Sequence, residues 1–158
     1  MLPTFLIIGA PRAGTSWLSK NLSLHPDIYI PHVKEVHYFD RYYDKGQTFY
    51  EEFFDKSCGE KAIGEATPAY LFKENIPELI KKDLGDVKLI VSLRNPVDRL
   101  YSRYLMSKGS YEENKTLSFE EKIQAKPSFI GEGFYYDHLI RYYKHFNKKN
   151  IGASKNTL

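Results

Sequence analysis

Cysteine is almost absent: Cys58 is the only one in 158 residues. No internal disulfide can form, and a zinc site built on thiolates has no basis. A dominant charge is missing too, since 23 Lys and Arg against 20 Asp and Glu leave a net charge of +3. So mild an excess suits anionic small ligands and does not implicate nucleic acid. Long apolar runs are also lacking. The run Phe5-Leu6-Ile7-Ile8 near the N-terminus has no basic stretch before it and is far too short for a secretory signal or a membrane span. The expectation is a cytoplasmic chain with no membrane segment. There is no internal repeat and no low-complexity tract. With 42% hydrophobic and 27% charged residues, the chain reads as one globular domain with a real core.

The chain is organised around Phe5–Leu18, FLIIGAPRAGTSWL. A buried strand ends at Gly9, a loop bounded by Gly9 and Gly14 follows, and helical patterning begins near Trp17, with Thr15 or Ser16 expected to cap the helix. Strand, glycine-bounded loop and helix start is the arrangement that cradles a phosphate, because unpaired amides and the positive end of the helix dipole converge there. Against the P-loop pattern G-x-x-x-x-G-K-[ST], Gly9, Gly14 and Ser16 fit, but Thr15 stands at the lysine. That disfavours ordinary nucleoside triphosphate hydrolysis. A cation is present inside the loop instead, as Arg12. Taken alone, the loop is equally compatible with a tight turn carrying an incidental arginine.

Further along, Pro26 is expected to end the first helix. Lys34–Asp40 alternates charged and apolar residues too irregularly for a strand. Thr48–Phe54 reads as a short helix, Lys61–Glu65 as a brief strand, Ala66–Tyr70 as a loop and Asn75–Leu84 as a helix. Val87–Leu93 reads as a strand buried on both faces. Asn95 and Pro96 start the next helix, with Val97, Leu100, Tyr101, Tyr104 and Leu105 as its apolar stripe. Lys108–Thr116 is expected as a polar loop, and Ser118 caps a helix through Ala125. A last helix over Tyr135–Asn147 places Tyr136, Leu139, Ile140, Tyr143 and Phe146 at helical spacing. Strands alternating with helices predict an α/β fold, a P-loop-like three-layer arrangement with a central parallel sheet flanked by helices. Its ligand belongs at the carboxyl ends of the strands, where Arg12 and Arg94 fall.

Four segments together resemble one family. P-R-x-G-T-S at Pro11–Ser16 is similar to the 5′-phosphosulfate loop of sulfotransferases that use 3′-phosphoadenosine 5′-phosphosulfate (PAPS). Arg94-Asn95-Pro96-Val97-Asp98-Arg99-Leu100-Tyr101-Ser102 is similar to their 3′-phosphate motif, R-[ND]-P-x-x-R-x-x-S, with Arg94 and Ser102 as the binding groups and Arg99 and Arg103 read as surface arginines. Lys34-Glu35-Val36-His37-Tyr38-Phe39-Asp40 resembles the K-E-x-H-[FY]-F-D segment of the carbohydrate, heparan sulfate type, where the glutamate is the base. Gly64-Glu65-Ala66-Thr67-Pro68-Ala69-Tyr70 resembles G-E-K-[ST]-P-x-Y, but Ala66 stands where that group has a catalytic lysine. Thr67 and Tyr70 are expected to line the cleft. Trp17 matches an adenine-stacking tryptophan of the family, with a place in the core as the alternative.

The resemblance implies in-line transfer of a sulfuryl group from PAPS to the hydroxyl of a carbohydrate or small-molecule acceptor, leaving adenosine 3′,5′-bisphosphate, with no metal and no nucleic acid. Glu35 removes the acceptor proton, with His37 as helper or rival base. Arg12 neutralises charge on the leaving oxygen. Ala13, Gly14, Thr15 and Ser16 hold the 5′-phosphate. An upstream anchor outside this sequence would place the reaction in the Golgi lumen. Residues 1–158 are expected to form a single domain incomplete at its C-terminus, because Ile151–Leu158 does not read as the buried core strand the family places there; the neighbouring strand would then be unpaired. The competing readings are a donor-binding module without turnover and a P-loop small-molecule kinase.

Overall fold

The computed structural model describes residues 1–109 and 117–155. Five strands form one parallel sheet in the order β2-β3-β1-β4-β5. They are β1 (Phe5–Gly9), β2 (Ile28–Tyr29), β3 (Ala62–Ala66), β4 (Lys88–Leu93) and β5 (Ile151–Lys155). The helices are α1 (Thr15–Leu22), α2 (Tyr38–Arg41), α3 (Gly46–Glu51), α4 (Ile76–Leu84), α5 (Pro96–Gly109), α6 (Phe119–Ala125), α7 (Ser128–Gly131) and α8 (Tyr135–Tyr143). The expected α/β architecture is therefore present.

Every residue of β1 is buried, because helices cover both faces of the sheet. Leu6 and Ile8 face the larger core with Val91, Ile80 and Tyr142, while Phe5 and Ile7 face Leu18 and Leu22 of α1. Burying each such side chain stabilises the fold by about 1.5–3 kcal/mol. Gly9 ends β1 where the turn Pro68–Phe72 crosses it; a Cβ there would stand 2.6 Å from the Leu71 Cβ. The chain leaves β1 toward β2 and β3 on one side, and leaves β4 toward β5 on the other. The crevice beyond β1 and β4 is thus the topological switch point.

Several local expectations are corrected. Helix α1 is capped neither by Thr15 nor by Ser16: its N-cap is Gly14, in the left-handed conformation at φ 84°. It ends at Leu22, well before Pro26, because Ser23 Oγ bonds to Lys20 O at 2.8 Å and the chain tightens into a turn in which His25 N–H bonds to Leu22 O. The sequence Lys34–Asp40 turns through two left-handed residues, Glu35 and His37, into α2. In α5 the expected stripe is met only in part: Tyr104 is buried and Leu100 half-buried, but Val97, Tyr101 and Leu105 are exposed, whereas Arg99 is fully buried. Of the stripe expected for the last helix, Leu139 and Phe146 do pack into the core, but Tyr136, Ile140 and Tyr143 are exposed, and His138 and Tyr142 take the inward face of α8. The caps Asn95 and Ser118 are as expected, Ser118 in a full capping box with Glu121. Of the expected loop Lys108–Thr116, the first two residues belong to α5 and the rest lies outside the described residues.

Ile151–Lys155 does form a strand. It pairs with β4 from Leu89↔Ile151 to Leu93↔Lys155, so β4 has a neighbour on each side. Only Ile151 is inserted in the core; Gly152, Ala153 and Ser154 are exposed. Backbone pairing at the sheet edge, not side-chain burial, makes this strand, which is why its composition conceals it.

Candidate functional site

A cleft of about 710 Å3 opens at the carboxyl ends of the strands. Arg12, Ser16, Glu35, His37, Arg94 and Ser102, from segments far apart in the chain, all line it. The loop after β1 is tied to β4: Ala10 N–H donates to Ser92 O at 2.7 Å, and Ser92 Oγ donates to Ala13 O at 2.5 Å. Ala13 N–H turns inward to Ala10 O at 3.2 Å, so Ala13, expected to present its amide to a phosphate, props the loop from within. Gly14, Thr15 and Ser16 start α1 at the cleft. The first-turn amides of a helix have no intrahelical acceptor, and they point out of its N-terminus.

Arg12 stands at φ 67°, a left-handed position that turns its side chain across the cleft. Its Nε donates to Ser102 Oγ at 3.0 Å and its Nη1 reaches Met106 Sδ at 3.4 Å. The cation from the first motif and the hydroxyl from the second are thus in direct contact, 90 residues apart in sequence. Arg94 lines the same space, and its Nε is buried without a hydrogen-bond partner. An unpartnered buried guanidinium nitrogen is costly unless an acceptor arrives. A nucleotide carrying two phosphates fits this donor set and volume.

A carboxylate-flanked imidazole lies on the same cleft. His37 Nε2 is 3.3 Å from Glu35 Oε2, and Nδ1 is 3.0 Å from Asp40 Oδ1. Glu35 Oε1 accepts from Lys34 Nζ at 3.0 Å, so the ion pair with a neighbouring lysine exists alongside the contact with His37. Both ring nitrogens can donate only if each carries a proton; with one proton fewer, a nitrogen lone pair remains to accept one. The group can therefore take a proton from a hydroxyl at the cleft wall and spread it over two residues. Asp40 was quoted in the motif without a role. Its position three residues after His37, on the first turn of α2, was the available signal.

The second motif holds more than Arg94 and Ser102. Arg99, expected at the surface, donates from Nη1 to Glu132 Oε2 at 2.9 Å and from Nη2 to Phe129 O. Arg103 also lines the cleft, stacks on the Phe129 ring at 4.7 Å and lies 3.7 Å from Glu132. Nothing in the residues 96–109 alone announces a carboxylate thirty positions later. Three expectations are not met. Trp17 is 67% exposed, which overturns its place in the core. Thr67 and Tyr70 are fully buried; Pro68, Ala69 and Phe72 line the cleft in their place. Among the described residues, no cluster of three or more His, Cys, Asp or Glu could hold a metal ion.

A parallel sheet whose switch point carries a glycine-bounded loop at a helix start, with Arg12 and Arg94 on one cleft, has the arrangement of a P-loop-like α/β fold. The sulfotransferase domain model matches residues 2–153, and the chain belongs to the sulfotransferase family. It is similar to the membrane-associated sulfotransferase kil1 of Dictyostelium discoideum, at 36% identity over 82% of this chain and 29% of that protein. It is also similar to human heparan sulfate glucosamine 3-O-sulfotransferase 3B1, at 34% identity over 92% of this chain and 39% of that protein. The crystal structure of a sulfotransferase from Alicyclobacillus acidocaldarius superposes with a TM-score of 0.87 at 31% identity, covering 98% of this chain and 73% of that one. The chain spans well under half the length of these curated relatives. No helix among the described residues is long and apolar enough to cross a membrane.

Proposed function

We propose that this chain transfers the sulfuryl group of PAPS to a hydroxyl of a carbohydrate or small-molecule acceptor. The observation that carries the reading is the Arg12–Ser102 contact at 3.0 Å, which joins the two anion sites beside Glu35 on one cleft. The first-turn amides of α1, with Thr15 and Ser16, hold the 5′-phosphate, and Arg94 with Ser102 holds the 3′-phosphate. Glu35, backed by His37 and Asp40, removes the proton from the acceptor oxygen as it attacks sulfur. The S–O bond to the 5′-phosphate breaks, and Arg12 neutralises the charge that develops on that oxygen. The leaving group is already an anionic phosphate, so the step needs no metal.

The acceptor is the finer part of the proposal. A second hollow of about 510 Å3, lined among others by Lys20, His25, Tyr29 and His32, shares Ser16 and Lys34 with the main cleft. It gives the rest of a sugar chain somewhere to lie. Ala66, at the family's lysine position, is in β3, and its carbonyl accepts the Glu35 N–H at 3.2 Å. The test is transfer of radiolabelled sulfate from PAPS to a panel of sugars and small alcohols. The wild type transfers label. Arg12→Ala and Glu35→Ala each lose at least about a hundredfold in kcat. Glu35→Ala still binds adenosine 3′,5′-bisphosphate. Turnover retained in both variants contradicts the assigned roles.

A further inference from the structure

Behind the proposed base lies a carboxylate that the reaction does not use. Glu65, in β3, is 1% exposed. Three hydroxyls donate to it: Thr67 Oγ1 to Oε2 at 2.6 Å, and Tyr50 OH and Tyr70 OH to Oε1 at 2.9 and 3.0 Å. Each of these side chains also touches the segment that carries Glu35 and His37. Thr67 Oγ1 accepts the His37 N–H at 3.4 Å. Tyr70 OH accepts the Phe39 N–H at 3.3 Å. The Tyr50 ring stacks on Tyr38, with centroids 4.3 Å apart and planes at 9°. With the Glu35 N–H on Ala66 O, alternate amides of the segment, at 35, 37 and 39, are all held from the end of β3 or the turn after it.

The direction of these bonds matters. A hydroxyl has one proton, and an ionised carboxylate only accepts. With the Thr67 and Tyr70 protons committed to Glu65, their lone pairs are left facing the two main-chain amides. Glu35 and His37 have φ of 63° and 56°, a left-handed conformation that side chains other than glycine keep only when their surroundings hold it. We propose that Glu65 is a positioning residue: by fixing the hydroxyls of Thr67 and Tyr70 as acceptors, it holds segment 35–40 in the left-handed path that brings Glu35, His37 and Asp40 together. Burial pushes the Tyr50 and Tyr70 phenols well above ordinary tyrosine values, which keeps them donors. Burial also raises the Glu65 carboxyl, and the three donated bonds oppose that rise.

The proposal rests on the sulfotransferase reading only where turnover is concerned, and its test separates the two. Glu65→Gln keeps the shape but places an NH2 against one set of hydroxyls. That hydroxyl must then accept, and its proton turns toward the amide it used to receive. In Glu65→Gln, hydrogen exchange followed by NMR is expected to speed up about tenfold or more at the His37 or the Phe39 amide, whichever faces the hydroxyl that now has to accept. Amides in β1 and β4 stay as in the wild type. Expected alongside is a fall in kcat of up to about a hundredfold, with affinity for adenosine 3′,5′-bisphosphate held within about twofold. Unchanged exchange at both amides, a uniform rise across the sheet, or wild-type kcat with freed amides overturns the proposal. A wild type that transfers no sulfate defeats the reaction instead, and the exchange pattern alone then decides. Should Glu65→Gln fail to fold, Thr67→Val and Thr67→Ser decide. The first frees the His37 amide and the second, which keeps the hydroxyl, does not; equal exchange in the two overturns the proposal.

Discussion

Arg99 and Glu132 show what one residue can hide. The arginine is fully buried in α5, and its guanidinium spans to the carboxylate and to the Phe129 carbonyl near the start of α7. Removing Arg99 leaves Glu132 buried with only the longer contact to Arg103. Arg99→Leu is expected to cost about 3–5 kcal/mol, while Arg99→Leu combined with Glu132→Leu costs much less than the sum. Urea midpoints of the two single variants and the double variant measure this; strict additivity contradicts it. Arg12, Glu35, His37, Arg94 and Ser102 were legible as residue types because their chemistry is local to a motif. Arg99 was not, since a basic residue among polar neighbours reads as solvent-facing until its distant partner is known.

At the scale of elements, α8 adds polar contacts with the turn after β3 to the apolar packing of Tyr135, Leu139 and Tyr142. Tyr142 OH donates to Tyr70 O at 2.8 Å and Arg141 Nη2 donates to Phe72 O at 3.0 Å. His138 sits between, with Nε2 at 2.8 Å from Gly131 O and Nδ1 at 2.7 Å from Arg141 Nη2. A neutral ring protonated at Nε2 satisfies both contacts; a second proton would face the guanidinium. Burial accordingly lowers the His138 pKa below the ordinary imidazole value. Because the native pKa is depressed, the unfolded chain binds more protons as pH falls through about 6.5, so stability drops there. Thermal melts from pH 7.5 down to 5 are expected to show a decline that His138→Gln flattens; identical slopes in the two proteins contradict it. The same polar docking explains why the outward position of Tyr136, Ile140 and Tyr143 was not legible, since periodicity counts apolar side chains and the inward face here includes His138 beside Leu139 and Tyr142. Strand β5 is not legible in the sequence for a related reason, its pairing being made by backbone groups that composition does not record.

For the whole molecule, topology does what no single segment shows. A sheet ordered β2-β3-β1-β4-β5 brings the loop after β1 and the helix after β4 to one crevice, and the turn after β3 supports the segment bearing Glu35 from behind. The two phosphate motifs were readable one at a time, as glycine spacing and as a proline-started helix after a strand. Their contact, and the network that joins Glu65 to the base, depend on side-chain directions fixed only by packing. The central claim is that these parts form one site for a nucleotide carrying a 3′- and a 5′-phosphate. Calorimetric titration of the purified chain with adenosine 3′,5′-bisphosphate, compared with ATP plus magnesium, tests it most directly. The account predicts metal-independent binding of the bisphosphate that weakens at least about tenfold in Arg94→Ala, a loss of roughly 1.4 kcal/mol or more. No binding by a chain shown to be folded, or binding of ATP alone with a magnesium requirement, would contradict it.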